Sequence, residues 1–91
     1  MAELHPTPTR LALLASIDRG AVFEDWYAEI EPGEIRVHEF GRRDRATAKV
    51  REMKAAGWCI TDPAGEDLHV RRIVLTDIGR AVLEQNTGGT R

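Results

Sequence analysis

A single cysteine, Cys59, excludes any internal disulfide in this chain of 91 residues. Its position between Trp58 and Ile60, in an apolar run, suits a buried and reduced thiol. No stretch approaches the roughly 18 apolar residues of a membrane span, so a spanning helix is not expected. The opening "MAELHPTPTR" lacks the basic-then-apolar layout of a secretory leader, and a cytoplasmic location is the expectation. Excess charge is missing as well. The net charge is -2, which excludes a protein that holds polyanions over its whole surface, and any such binding has to be local. What is present, 42% hydrophobic and 31% charged residues, describes one compact domain with a small core. It is expected over residues 1–86, with 87–91 as a flexible tail.

The small net charge hides an uneven distribution. Residues 1–35 are strongly acidic, with five carboxylates between 24 and 34: Glu24, Asp25, Glu29, Glu31 and Glu34. Residues 36–54 reverse the sign, setting Arg36, Arg42, Arg43, Arg45, Lys49, Arg51 and Lys54 against Glu39, Asp44 and Glu52. The rest is nearly balanced.

Along the chain, "TPTRLALLASIDRG" predicts a helix with Thr7 as N-cap, Pro8 at the first helical position and Gly20 as the left-handed stop. Leu11, Leu13, Leu14 and Ile17 form its core arc, with Thr9, Ser16 and Arg19 outside. Two periods fit residues 21–40. Phe23, Trp26, Tyr27 and Ile30 have helical spacing, whereas Val22, Trp26, Ala28 and Ile30 share one face of a strand. The Pro32-Gly33 pair favours strands, because a hairpin about it sets Ile30 beside Ile35, Ala28 beside Val37 and Glu29 beside Arg36. That register also opposes Glu31 to Glu34, so a longer loop is expected.

In "RRDRATAKVREMKAAGW", residues 42–58, Asp44 is the expected N-cap and Gly57 the stop. Ala46, Val50, Met53 and Gly57 stack on the core side. Thr47, Ala48, Arg51 and Ala55 point outward, flanked by Arg45 and Lys54. Next come a strand "WCIT", a turn "DPAGED" and a strand "HVRRIVL" with Ile73 and Leu75 on one face. Thr76 then caps a last helix expected to bury Ile78, Ala81 and Val82 and to leave Leu83 exposed.

The residues "VREMKAAGW", the pair Arg71-Arg72 and "LTDIGRAVL" resemble the second half of a winged helix-turn-helix of the MarR or PadR type. The resemblance implies an α+β winged helix: helix, hairpin or short helix, recognition helix, two-stranded wing, C-terminal helix. It implies duplex DNA as partner and a small bacterial or phage transcriptional regulator; no cofactor is expected, and the small size of the domain argues against catalysis. In such a protein the helix before the glycine reads the major groove and the basic wing lies along phosphates or the minor groove. The roles carry over to Thr47, Ala48 and Arg51 on the helix and to His69, Arg71 and Arg72 on the wing. This chain departs from the pattern in two places. "EPGEIRVHEFGRRD" reads as extended where a short scaffold helix usually stands, and the long dimerisation helices are missing.

Groove dimensions allow the docking, since a helix of about twelve residues is about 18 Å long and a major groove about 12 Å wide. Arg51 and Arg45 suit guanine, Thr47 and Ala48 suit thymine methyls, and Arg42, Arg43, Lys49 and Lys54 suit phosphates. The plain alternative is a solvated surface helix held by pairs such as Lys49 with Glu52. No pair among His5, His38, His69 and Cys59 has the close spacing of a zinc motif, and a domain this small is expected to lack a substrate cleft. A second class of function is a protein-interaction module whose acidic segment 24–34 meets a basic partner. A homodimer is the expected assembly, from family habit and from Leu83.

Overall fold

The computed structural model describes residues 4–27, 31–63 and 69–87. The chain runs α1 (Pro8–Asp18), β1 (Val22–Asp25), β2 (Glu34–Glu39), β3 (Arg42–Arg45), α2 (Thr47–Ala55), β4 (Cys59–Thr61), β5 (Val70–Leu75), α3 (Asp77–Thr87). It is an α+β fold with a five-stranded sheet in the order β3-β2-β1-β5-β4, every neighbouring pair antiparallel. Among the described residues no helix is long and apolar enough to cross a membrane.

The local signals for α1 hold. Thr7 Oγ1 accepts from Arg10 N–H, Pro8 sits at the first position, and Gly20 takes a φ of 76°. Leu14 and Ile17 enter the core with Val22, Ile35, Val50, Met53, Trp58, Cys59, Ile73 and Leu83. Ser16 corrects the expected outer face: it is buried, because its hydroxyl has a partner in Glu39 Oε1 at 2.6 Å. Burial pushes the Cys59 thiol up to about 11, which keeps it protonated and unreactive.

Residues 22–25 and 34–39 are strands. The register differs from the one expected: Val22 opposes Val37, and Glu24 opposes Ile35. The shift seats Val22 and Ile35, both fully buried, on the helix side of the sheet together. Glu24 comes with them. Its carboxylate accepts from Trp26 Nε1 (2.9 Å), Thr61 Oγ1 (3.2 Å) and Lys54 Nζ (3.2 Å), and these three partners replace water at a side chain 5% exposed. The expected partners Ala28, Glu29 and Ile30 lie outside the described residues.

Helix α3 is rotated relative to the expected phase. Leu83 is buried at 8% exposure, whereas Ile78 is 57% exposed and Ala81 is also exposed. Gly79 explains the rotation. A Cβ at that position would stand 1.8 Å from the Trp58 carbonyl oxygen, so the glycine face is the one that meets the backbone after α2. Thr76 caps the helix through Gly79 N–H (3.1 Å) and its hydroxyl donates to the Gly57 carbonyl, which ties both ends of β4–β5 to that contact.

Gly79→Ala should therefore lower unfolding free energy by about 3 kcal/mol, the upper range for overpacking. Urea denaturation checks this, and unchanged stability would show that α3 does not approach Trp58 so closely.

Candidate nucleic-acid interface

The basic segment folds as a hairpin running into a helix. Strands β2 and β3 pair as Arg36 with Arg45, Val37 with Asp44, His38 with Arg43 and Glu39 with Arg42. The two-residue turn between them is Phe40-Gly41, with φ of 55° and 72°, the pair of positive values a type I′ turn requires. All four residues of β3 are exposed, as suits a charged edge strand. Asp44 belongs to this strand and is not the N-cap of α2. That place falls to Ala46, which offers no side-chain cap.

The join between β3 and α2 is set by Ile35. Its N–H donates to Thr47 Oγ1 at 3.0 Å, and its carbonyl accepts from Ala46 N–H at 2.9 Å. Thr47 is consequently buried, which corrects its expected place on the outer face. The exposed face of α2 is Ala48, Lys49, Arg51, Glu52, Ala55 and Ala56. Glu52 is paired with Arg10 of α1 at 2.8 Å instead of with Lys49.

Other expected contacts are drawn into the fold. Lys54 is half-buried, held by Glu24 and by Thr61 Oγ1 (2.9 Å), so it faces the core side and not a ligand. Arg45 is ion-paired with Glu31 at 2.8 Å, and the carboxylate raises its already high pKa. Arg71 and Arg72 do not project on a free ribbon, because Val70–Arg72 pair with β1 in the sheet. The Arg72 guanidinium lies 5.8 Å over the Phe23 ring, and His69 stacks on Tyr27 with ring centroids 3.7 Å apart. The turn at 64–68 lies outside the described residues. The structure thus leaves Arg42, Ala48, Lys49 and Arg51 exposed along one groove, while Arg43, next to Arg42 on β3, is exposed on the other face of the hairpin.

Between α1, the hairpin and the start of α2 lies a groove of about 800 Å³, with Leu13, Val37 and Ala46 in its walls and Phe40, Arg42 and Lys49 also lining it. A cleft of this size was not expected in so short a chain. Its carboxylates are engaged by arginines: Glu31 by Arg45, Asp44 by Arg42 at 3.2 Å, and Glu39 by Arg19. The last pair is bidentate, at 2.5 and 2.9 Å, and with the Ser16 hydroxyl it holds the Glu39 carboxyl down at about 2. This latch fastens the hairpin to α1. Among the described residues no group of three or more His, Cys, Asp or Glu is placed to hold a metal ion. The pattern "EFGRR" carries the one signal for the hairpin tip, a glycine between two short extended runs. The burial of Thr47 and Lys54 has no local signal.

Comparison of the chain with family models, curated proteins and solved structures gives no match.

Because Glu39 is held below the ordinary value of 4.5, the unfolded chain takes up this proton first as pH falls. Its contribution to stability is complete above about 4.5 and disappears toward about 2. Glu39→Gln should flatten the acid limb of the stability curve in that window while lowering stability at neutral pH. Denaturation midpoints between pH 7 and 2 measure both effects.

Proposed function

We propose that this chain is a winged-helix protein that binds duplex DNA, with α2 in the major groove and the β2–β3 hairpin against the neighbouring backbone. The observation that carries the reading is the uncovered face of α2, with Ala48, Lys49 and Arg51, beside the exposed Arg42 and Arg43 of the hairpin. The order of elements adds support. Strands β4, β5 and β1 are adjacent in the sheet, with one helix before β1 and one before β4, as in the winged-helix pattern that "VREMKAAGW" and "LTDIGRAVL" resemble. The scaffold helix of that pattern is replaced by β2 and β3.

The chemistry divides by position. Arg51 suits the O6 and N7 acceptors of guanine, and Ala48 a thymine methyl. Arg42, Arg43 and Lys49 suit phosphates, which orient the protein without specifying sequence. A helix of nine residues is about 13.5 Å long, close to the groove width of about 12 Å. The proposal of a small bacterial or phage regulator rests on the resemblance alone. The homodimer now rests only on family habit, since Leu83 is in the core. The rival reading, an acidic docking segment, draws less support: Glu24, Glu31 and Glu34 are ion-paired within the chain and the Asp25 carboxylate accepts from Tyr27 N–H, while Glu29 lies outside the described residues.

Selection of bound duplexes from a random pool should return an enriched motif. An absence of enrichment together with no gel retention at low salt overturns the reading. Arg51→Ala should relax the preference at one position by about 1–3 kcal/mol. Removing both Arg42 and Arg43 should weaken binding to all sequences and reduce the salt slope by about 2. Lys54→Met should leave the slope unchanged and lower the melting temperature, because the lysine answers Glu24 and not a phosphate.

A further inference from the structure

Phe40 occupies the worst position in the chain for its residue type. It is 87% exposed, so its ring gains almost none of the stabilisation that burial would give. Its φ of 55° is in the left-handed region, where a bulky side chain is strained and where a type I′ turn prefers Asn, Asp or Gly. Neither the backbone nor the side chain is placed for stability, and an outlier of this kind directs attention to function.

The surroundings indicate what the ring meets. Arg42 and Arg43 follow the turn, both exposed on an edge strand. The nearby carboxylates are neutralised, Glu39 by Arg19 and Asp44 by Arg42. An apolar side chain at the tip of a cationic two-stranded ribbon has the chemistry of a minor-groove wedge, in which the ring enters a base step and guanidinium groups lie against the flanking phosphates. Reach agrees with this. Between Phe40-Gly41 and α2 the extended part of the chain is the four residues of β3, about 13 Å, on the scale of the half turn, about 17 Å, that separates adjacent grooves of B-DNA. The ring and the exposed end of α2 also border one groove, which Phe40, Ala48 and Lys49 all line, so tip and helix are on the same side of the molecule.

We infer that Phe40 is a wedge that enters the minor groove next to the α2 site and kinks the duplex there. The inference rests on the reading of α2 as the DNA-binding helix. A protein whose tip is only a turn gains stability from the best turn residue and loses nothing else, so Phe40→Asn separates the two cases without a risk to folding.

The experiment uses the full chain and a short duplex recovered by the selection, with 2-aminopurine placed at successive steps and a dye pair at its ends. Wild type should brighten 2-aminopurine at one step about half a turn from the α2 contact and bring the ends closer. Phe40→Asn should melt at a higher temperature, bind roughly tenfold more weakly, as expected when one ring loses its burial, and leave the duplex straight and the probe dark. Phe40→Leu, which keeps an apolar wedge, should restore part of both signals. If wild type binds without brightening or bending, or if Phe40→Asn bends the duplex equally, the wedge is wrong and the DNA reading stands. If wild type forms a dimer that Phe40→Asn abolishes while the bend persists, the ring belongs to a protein interface and the wedge is again wrong. If wild type retains no duplex at all, the DNA reading fails and takes the wedge with it.

Discussion

Ile35 sits in the middle of the sheet with its N–H and carbonyl turned toward the side where β3 has already ended. A buried backbone group left without a partner costs about 1–3 kcal/mol, and Ile35 has two. Both are satisfied by the first residues of α2, the carbonyl by Ala46 N–H and the N–H by the Thr47 hydroxyl. Strand pairing is therefore continued by a helix start, with a threonine oxygen in the place of a strand carbonyl. This one substitution fixes the direction in which α2 leaves the sheet. The hairpin, the groove and the exposed helix face all take their positions from it.

A second constraint acts on the other end of the helix. Glu24 is carried into the core by the same register that seats Val22 and Ile35, and a buried carboxylate without partners would be costly. Lys54, Thr61 and Trp26 supply those partners, which joins α2, β4 and the loop after β1 to one group. Truncating such a pair is more damaging than its net contribution suggests, because the remaining charge stays buried. The cluster also bears on the surface. Glu24, Glu31 and Glu34 each take up a nearby cation, so these three carboxylates are answered within the chain. The exposed face of the helix and hairpin is rich in cations, although Arg42 is ion-paired with Asp44 and Arg51 donates to the Gly33 carbonyl, and an overall charge of -2 is compatible with a local positive surface.

The features legible in the sequence were those whose causes are local. The Thr7 cap, Pro8, the stops at Gly20 and Gly57, the Thr76 cap and the inward pair Val50 and Met53 each depend on residues within four positions. Thr47, Ser16 and Lys54 were misjudged because their partners, Ile35, Glu39 and Glu24, are distant in sequence, and a polar residue with a distant partner looks like a surface residue. The phase of α3 failed for a steric reason. Ile78, Ala81 and Val82 form a plausible apolar stripe, but the helix meets the Trp58 backbone through Gly79, where a Cβ would not fit. The β2–β3 turn is hidden in the sequence because Phe-Gly is an unfavourable turn pair and offers none of the usual Asn-Gly signal.

The strands β2 and β3, which directly precede α2, determine how it is supported. A helix of nine residues is unstable alone, and α2 lacks even a capping side chain, so it exists only while the sheet and core hold it. Only Ala46 separates it from β3, which leaves no flexible joint between hairpin and helix. The Arg19–Glu39 latch then fixes the hairpin to α1, and Arg10–Glu52 fixes the same α1 to the outer side of α2. Hairpin and helix are each tied to α1 and joined to one another through Ile35, forming a closed triangle of contacts. A surface divided between two elements fits a rigid partner only if the elements keep a fixed separation. Under the DNA reading, this triangle sets that separation, and the groove it encloses is the space between them.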